Sequence, residues 1–260
     1  MFNVKATKIR VVQETAILRR ERLLFWLFVI TECVFLAAGV ASVSAQSGNV
    51  RVVNAGVPGE NSTELGARFA ASLAQWRPRF VVLYTGMNDA ANEKKFVPSE
   101  IFRANLTAML DASRDAHISA VLVTIHHVDE VRVLKRHPPG SYGDRSPNRR
   151  IDELNGVLTT LARERGLALA DFNQVLQQAG GADERLSTDG VHLTSTAYGL
   201  LASAVRASLP GNLQPDTTVL CLGDSLTFGI GVRPTDAGDK GADGVRYPTY
   251  TVQLENQLNR

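Results

Sequence analysis

From Val50 onward the chain alternates short apolar runs with longer stretches in which apolar residues return every three or four positions. The first pattern suits strands buried on both faces, and the second suits amphipathic helices that cover them. Their alternation predicts a parallel sheet joined by helical crossovers. Val50 to Val53 reads as a strand. Asn61 or Ser62 can cap a helix running towards Trp76, with Leu65, Phe69 and Leu73 spaced four apart on one face. Arg77-Pro78 breaks that helix, and Phe80 to Tyr84 is the next buried strand. Pro98 opens a helix whose apolar side carries Ile101, Phe102, Leu106, Met109 and Leu110. Ala120 to Ile125 is a third strand, Asn148 to Arg165 a helix ended by Gly166, and Leu167 to Ala170 a short fourth strand. Thr194 caps a helix reaching about Leu209, Val219 to Leu222 is a fifth apolar run, and Tyr250 to Leu258 is a short final helix.

The segments between these elements differ in character. Val128 to Pro147 is long, charged and rich in Pro and Gly, and a loop of that length inside a compact domain reads as a specificity loop. Ser208 to Thr217 is a Pro/Gly linker, and Val232 to Arg246 is polar and Gly-rich. The first 45 residues stand apart. Basic residues from Lys5 to Arg22 precede an apolar stretch over residues 23–43, and Val43-Ser44-Ala45 offers the small residues a signal peptidase reads. This predicts an exported protein (periplasmic or extracellular), with the leader either cleaved after Ala45 or kept as a membrane tether. Glu32 interrupts the stretch, which a cleaved signal tolerates better than a spanning helix. Residues 46–260 then form one domain.

Composition narrows the function. The net charge of +2 comes without a basic stripe, which argues against a nucleic-acid partner. The two cysteines, Cys33 and Cys221, give neither a disulfide framework nor metal-ligand spacing, and Cys221 reads as a buried thiol inside its strand.

The chemistry-bearing residues cluster where strands end. Gly223-Asp224-Ser225-Leu226 follows the Val219 run, which places the Ser225 hydroxyl at the C-terminal edge of the sheet, where open α/β folds hold their active sites. Asp189-Gly190-Val191-His192 supplies a base and the carboxylate that orients it. Three apart on one helical turn, the two face the same side. Asp189 would accept a hydrogen bond from Nδ1–H of His192 and leave Nε2 for Ser225. Asn54-Ala55-Gly56-Val57-Pro58-Gly59 and Gly86-Met87-Asn88-Asp89 follow the first and second strands. Asp89 and Asp224 read as loop-bonding carboxylates. His126 and His127 follow the third strand and stand either at the pocket rim, against substrate, or in a solvated loop; no partner for a metal stands at suitable spacing.

Together these four segments resemble the motif blocks of the SGNH (GDSL-type) hydrolase family. The resemblance covers essentially all of residues 46–260 and implies a three-layer α/β/α sandwich with a flavodoxin-like parallel sheet of five strands. It implies a catalytic triad of Ser225, His192 and Asp189, and an oxyanion hole made by the backbone N–H groups of Ser225 and Gly59 with the Asn88 amide. No cofactor is required. The expected partner is a small-molecule ester, with short-chain or carbohydrate O-acetyl groups favoured because no apolar insertion offers a lipid lid. Lysophospholipase, thioesterase and acyltransferase activities, and an inert rearranged fold, remain alternatives. In that family the serine block comes first. Here it comes last, so the chain resembles a circular permutant, restored to ordinary order by joining Arg260 to about Gln46.

Overall fold

A computed structural model describes residues 48–234 and 246–260. The leader, its cleavage site, Cys33 and most of the polar 232–246 stretch lie outside the described residues. Five strands, β1 (Arg51–Gly56), β2 (Phe80–Tyr84), β3 (Ser119–Val123), β4 (Ala168–Ala170) and β5 (Thr218–Gly223), form one parallel sheet in the order β1-β5-β2-β3-β4. β5 therefore lies inside the sheet, with Val53 and Val81 both in register with Leu220. Counted from β5 as first strand, the order is 2-1-3-4-5, that of flavodoxin-like sheets.

Two helical layers cover the faces. On one side α1 (Ser62–Trp76) packs on α3 (Ser99–Asp115), and α3 on α5 (Pro147–Arg165). On the other, α7 (Ser195–Ser208) packs against α9 (Tyr250–Leu258) and α6 (Phe172–Gln178). Three further short helices, α2 (Met87–Ala91), α4 (Glu130–Val133) and α8 (Ser225–Phe228), sit in the loops that follow β2, β3 and β5. Among the described residues no helix is long and apolar enough to cross a membrane.

The helix ends follow the local chemistry of the sequence. Asn61 and Glu64 close α1 with a reciprocal capping box, satisfying two N–H groups that the helix leaves open. Pro147 occupies the first turn of α5 behind the Ser146 cap, and Gly166 ends it at φ 63°, where a side chain would be strained. Val81, Val82, Leu83, Val121, Leu122, Val123 and the run Val219–Leu222 are buried, as strands covered on both faces require. Cys221 is a buried free thiol, and burial pushes it up to about 12. β3 stops at Val123, two residues earlier than the apolar run suggests, because Thr124 turns its hydroxyl onto Asp171 while its N–H still reaches Ala170.

The two edges of the described fold meet. Val50 donates its N–H to Asn259 Oδ1 at 2.8 Å, Asn259 Nδ2 returns a bond to the Val50 carbonyl at 2.8 Å, and Glu255 accepts from Val52 N–H at 3.0 Å. The start of β1 is thus tied to the end of α9.

Candidate active site

The C-terminal ends of β5, β2 and β1 converge on Ser225. Gly223 ends β5, and a Cβ there would come within 2.0 Å of the Tyr84 carbonyl oxygen. At Gly56 a Cβ would meet the Phe228 nitrogen at 2.2 Å. Both glycines let backbone approach backbone, so that α8 can turn over the sheet edge directly after the strand. Asp224 caps that turn through Leu226 N–H at 2.9 Å, which presents Ser225 at the first helical position with 9% of its surface exposed.

His192 comes from the loop between α6 and α7. Its Nε2 lies 3.1 Å from Ser225 Oγ, and its Nδ1 lies 2.8 Å from Asp189 Oδ2. The other carboxylate oxygen, Oδ1, accepts from the N–H groups of Val191 and His192 at 2.9 and 2.8 Å. Burial works to raise the Asp189 carboxyl, but the bond and charge of His192 and these two N–H groups outweigh it and hold Asp189 well below the usual carboxylate range. Asp189 therefore stays ionised, an acceptor that fixes the proton of the imidazole on Nδ1 and leaves Nε2 facing the serine. The expected helical turn for this pair is corrected: residues 187–193 form an irregular loop pinned by a Ser187–Leu193 bridge, with Gly190 at φ 94°. A helical turn fails because the loop reverses at that glycine, and the Asx-type bonds of Asp189 replace helical ones.

Asn88, on α2, lines the same cleft of about 170 Å³ as Ser225, His192, Arg136 and His137. Its Nδ2 donates to the Glu60 carbonyl at 2.9 Å and faces Asp224 Oδ2 at 3.4 Å. Gly59 lies in the turn after β1 at φ 81°, outside the walls of this cleft. Among the described residues, no acceptor takes the N–H of Ser225 or of Gly59. Asp89 and Asp224 are both fully buried. Burial pushes Asp89 up to about 6 against bonds from the Ser62 side chain and N–H, and pushes Asp224 up to about 7.

The two histidines after β3 do not form a rim. His126 is wholly buried beneath the loop: its Nδ1 lies 2.6 Å from the Tyr84 hydroxyl, and its Nε2 lies 2.9 Å from the Val191 carbonyl. A carbonyl can only accept, so Nε2 carries the proton and Nδ1 accepts from Tyr84. Burial pushes His126 down to about 4, which keeps it neutral. His127 turns towards α5, where its Nε2 meets Asp152 at 2.6 Å. Neither lines the Ser225 cleft, because the chain after β3 dives under the 187–193 loop before it surfaces.

The residues that do reach the cleft from the long 128–147 segment are Val133, Arg136 and His137. The sequence marked the segment without singling them out. Val133 and Arg136 stand four residues after Asp129 and Arg132, and His137 four after Val133, which continues the turn of α4, and that was the available signal. The segment is held at both ends, by Asn148 on Val128 and by the Tyr142 hydroxyl on the Ala91 carbonyl at 2.8 Å.

The sequence matches the profile of the GDSL-like lipase/acylhydrolase family over residues 30–200, a span that ends before Ser225. Esterase TesA of Pseudomonas aeruginosa is 29% identical over 159 residues, covering 61% of this chain and 69% of that protein. The uncharacterized lipoprotein YqeF of Bacillus subtilis is 31% identical over 84 residues, so this chain spans about a third of its length, 35%. Among solved structures, the lipase/acylhydrolase from Enterococcus faecalis superposes with a TM-score of 0.52 at 26% identity, covering 64% of this chain and 78% of that one.

Proposed function

The chain belongs to the GDSL-like lipase/acylhydrolase family, and from that premise we propose that it hydrolyses carboxylic esters through an acyl-Ser225 intermediate. The observation that carries the reading is the unbroken line from Ser225 Oγ through His192 to Asp189, with links of 3.1 and 2.8 Å. His192 Nε2 takes the Ser225 proton as Oγ attacks the ester carbonyl, and Asp189 steadies the imidazolium that forms. The same imidazolium then protonates the leaving alcohol, and the neutral ring activates the water that releases the acid. The uncommitted N–H groups of Ser225 and Gly59 and the Asn88 amide are the donors for the oxyanion; Asn88 would exchange a present partner for it as substrate seats.

The acyl group is small in this reading. A cleft of about 170 Å³ is close to the ~150 Å³ cavity that accommodates benzene, which suits acetyl or a short chain. A long fatty chain would overfill it. The TesA relative carries the name of an esterase, which agrees with the reaction class.

We also propose that residues 1–45 are an export leader ahead of a hydrolase domain over residues 46–260, in keeping with a relative described as a lipoprotein, and that the domain is circularly permuted. The support for permutation is the block order, the strand order counted from β5, and the Val50–Asn259 contact.

The decisive experiment is labelling with a fluorophosphonate followed by peptide mapping, beside turnover of p-nitrophenyl esters of increasing acyl length. The expected adduct is on Ser225, lost in Ser225→Ala, with acetyl or butyryl esters turned over fastest. An adduct on another residue, or Ser225→Ala retaining more than about a hundredth of kcat, a gap of about 2.7 kcal/mol, sinks the mechanism. Fastest turnover of long-chain esters sinks the small-acyl reading.

A further inference from the structure

The loop that carries Asp189 and His192 has no regular structure of its own and turns on a glycine at φ 94°. The His192 carbonyl turns back onto the loop's own Thr188 and Ser187, but the carbonyls of Ser187, Asp189, Gly190 and Val191 are gripped from residues 126–136. His126 Nε2 donates to Val191 O at 2.9 Å, Asp129 N–H to Gly190 O at 2.9 Å, and Arg136 Nη1 to Asp189 O at 2.9 Å. Arg132 Nη1 reaches Ser187 O at 3.1 Å, and its Nη2 reaches Ala182 O. The contact is close-packed as well: a Cβ at Gly190 would lie 3.1 Å from Arg132 Cβ and 3.2 Å from the Asp129 carbonyl.

We infer that residues 126–136 are a clamp that aims His192 at Ser225, and that Arg136 is its principal positioning residue, a role that rests on the hydrolase reading above. Arg136 does two things. Its Nη1 fixes the main chain of Asp189, and its Nη2 stands 3.7 Å from Asp189 Oδ2, the oxygen that accepts from His192 Nδ1. A cation there competes with the imidazolium for the same carboxylate oxygen and so disfavours the protonated ring. The other groups facing His192 are Asp224 at the β5–α8 turn, His126 beneath the loop, and His137 across the cleft with its partner Glu93, while Tyr198 on α7 faces Asp189. Arg136 is the guanidinium placed against the Asp189 carboxylate.

Geometry and charge can be tested apart. Arg136→Met removes both the grip and the cation, Arg136→Lys keeps the cation without the two-pronged fork, and Arg132→Met loosens the loop without removing charge beside Asp189. Three readouts are needed: kcat and KM for p-nitrophenyl acetate from pH 5 to 9, the rate of fluorophosphonate labelling, and hydrogen exchange across residues 187–193. Arg136→Met should lower kcat about tenfold, as expected when a reacting group drifts by a fraction of an ångström, with KM within about twofold. It should also raise the acid limb of kcat/KM by about half a pH unit, the scale of one charge a few ångströms away in water, and speed exchange in the loop. Arg136→Lys should return the limb to its parental position. Arg132→Met should lower kcat and speed exchange but leave the limb in place. Parental kcat, limb and exchange in Arg136→Met overturn the clamp. A parent protein that neither turns over ester nor labels at Ser225 overturns the hydrolase reading instead, and loop exchange in Arg136→Met still decides whether the clamp exists.

Discussion

Asp224, beside Ser225, offers a test in which stability and activity move in opposite directions. Its carboxyl is fully buried, has one good donor in Leu226 N–H at 2.9 Å, and is pushed by burial from 3.8 up to about 7. A carboxyl with a raised folded pKa binds its proton more tightly in the fold than in the open chain. The stability it lends is fully present below about pH 3.8 and is lost as pH rises through about 7. Between pH 5 and pH 8 that loss amounts to about 3 kcal/mol, from linkage with these two values. Asp224→Asn puts a permanently neutral group in the same volume and should abolish that part of the pH dependence. Asp89, raised to about 6, and His126, lowered to about 4, titrate in both proteins and cancel in the comparison. The assay is urea unfolding of parent and variant at the two pH values. The parent should lose about 3 kcal/mol more than the variant on going from pH 5 to pH 8. The cost falls on catalysis. If the new amide keeps its oxygen on Leu226 N–H, its NH2 group faces Asn88 Nδ2, where Asp224 Oδ2 stood at 3.4 Å. If it flips, Leu226 N–H loses its acceptor. Either way kcat should drop while alkaline stability rises. Parallel pH dependences in the two proteins would refute the argument that burial holds this carboxyl protonated up to about pH 7.

Three further outcomes follow from the same geometry. Asn88→Ala should lower kcat by about 10²–10³-fold, the usual effect of losing one oxyanion donor, with little change in the urea midpoint; a loss below about tenfold would remove Asn88 from that role. Gly223→Ala, whose Cβ would stand 2.0 Å from the Tyr84 carbonyl oxygen, should destabilise by about 3 kcal/mol or more, read as a lowered Tm, and a parental Tm would mean that β2 and β5 part more easily than their register suggests. A relinked chain, with residues 216–260 placed ahead of residue 46 and the leader removed, should be soluble, active and within about 1 kcal/mol of the parent in stability, because closure cost changes slowly with loop length. A folded but inert product would argue that β5 has been wrongly placed.

What the sequence made legible was local. The Leu65-Phe69-Leu73 stripe, the Asn61 cap and the Pro98, Gly166 and Thr194 boundaries each depend on neighbours within a turn or two, and such features are written in consecutive letters. The apolar run at residues 219–222 likewise signals a strand covered on both faces. What stayed hidden depends on partners far along the chain. His126 follows a strand end, which suggests a rim, and only the Tyr84 hydroxyl and the Val191 carbonyl, from elements distant in sequence, convert it to a buried neutral brace. The Asp189–His192 spacing suggested a helical turn, but Gly190 and the carbonyl contacts from residues 126–136 set a different backbone for the same juxtaposition. Arg132 and Arg136 carried no motif, since their grip on the 182–189 stretch is largely on main-chain oxygens, which leave no trace in side-chain identity.

The inward position of β5 has a consequence for how the molecule comes to be made. On a growing chain β1, β2, β3 and β4 all precede β5, and β1 pairs with β5 alone, so the slot between β1 and β2 cannot be filled until β5 has been made. Pairings that span most of a chain form slowly, and unpaired strand edges expose the intermediate to association with its neighbours. The segment that fills the slot is also the one that brings Ser225. A chain still missing its central strand is missing the proposed nucleophile, and on that reading the step that closes the sheet is the step that arms it. A pool of half-folded molecules would therefore be catalytically silent, and activity would report the last event of folding.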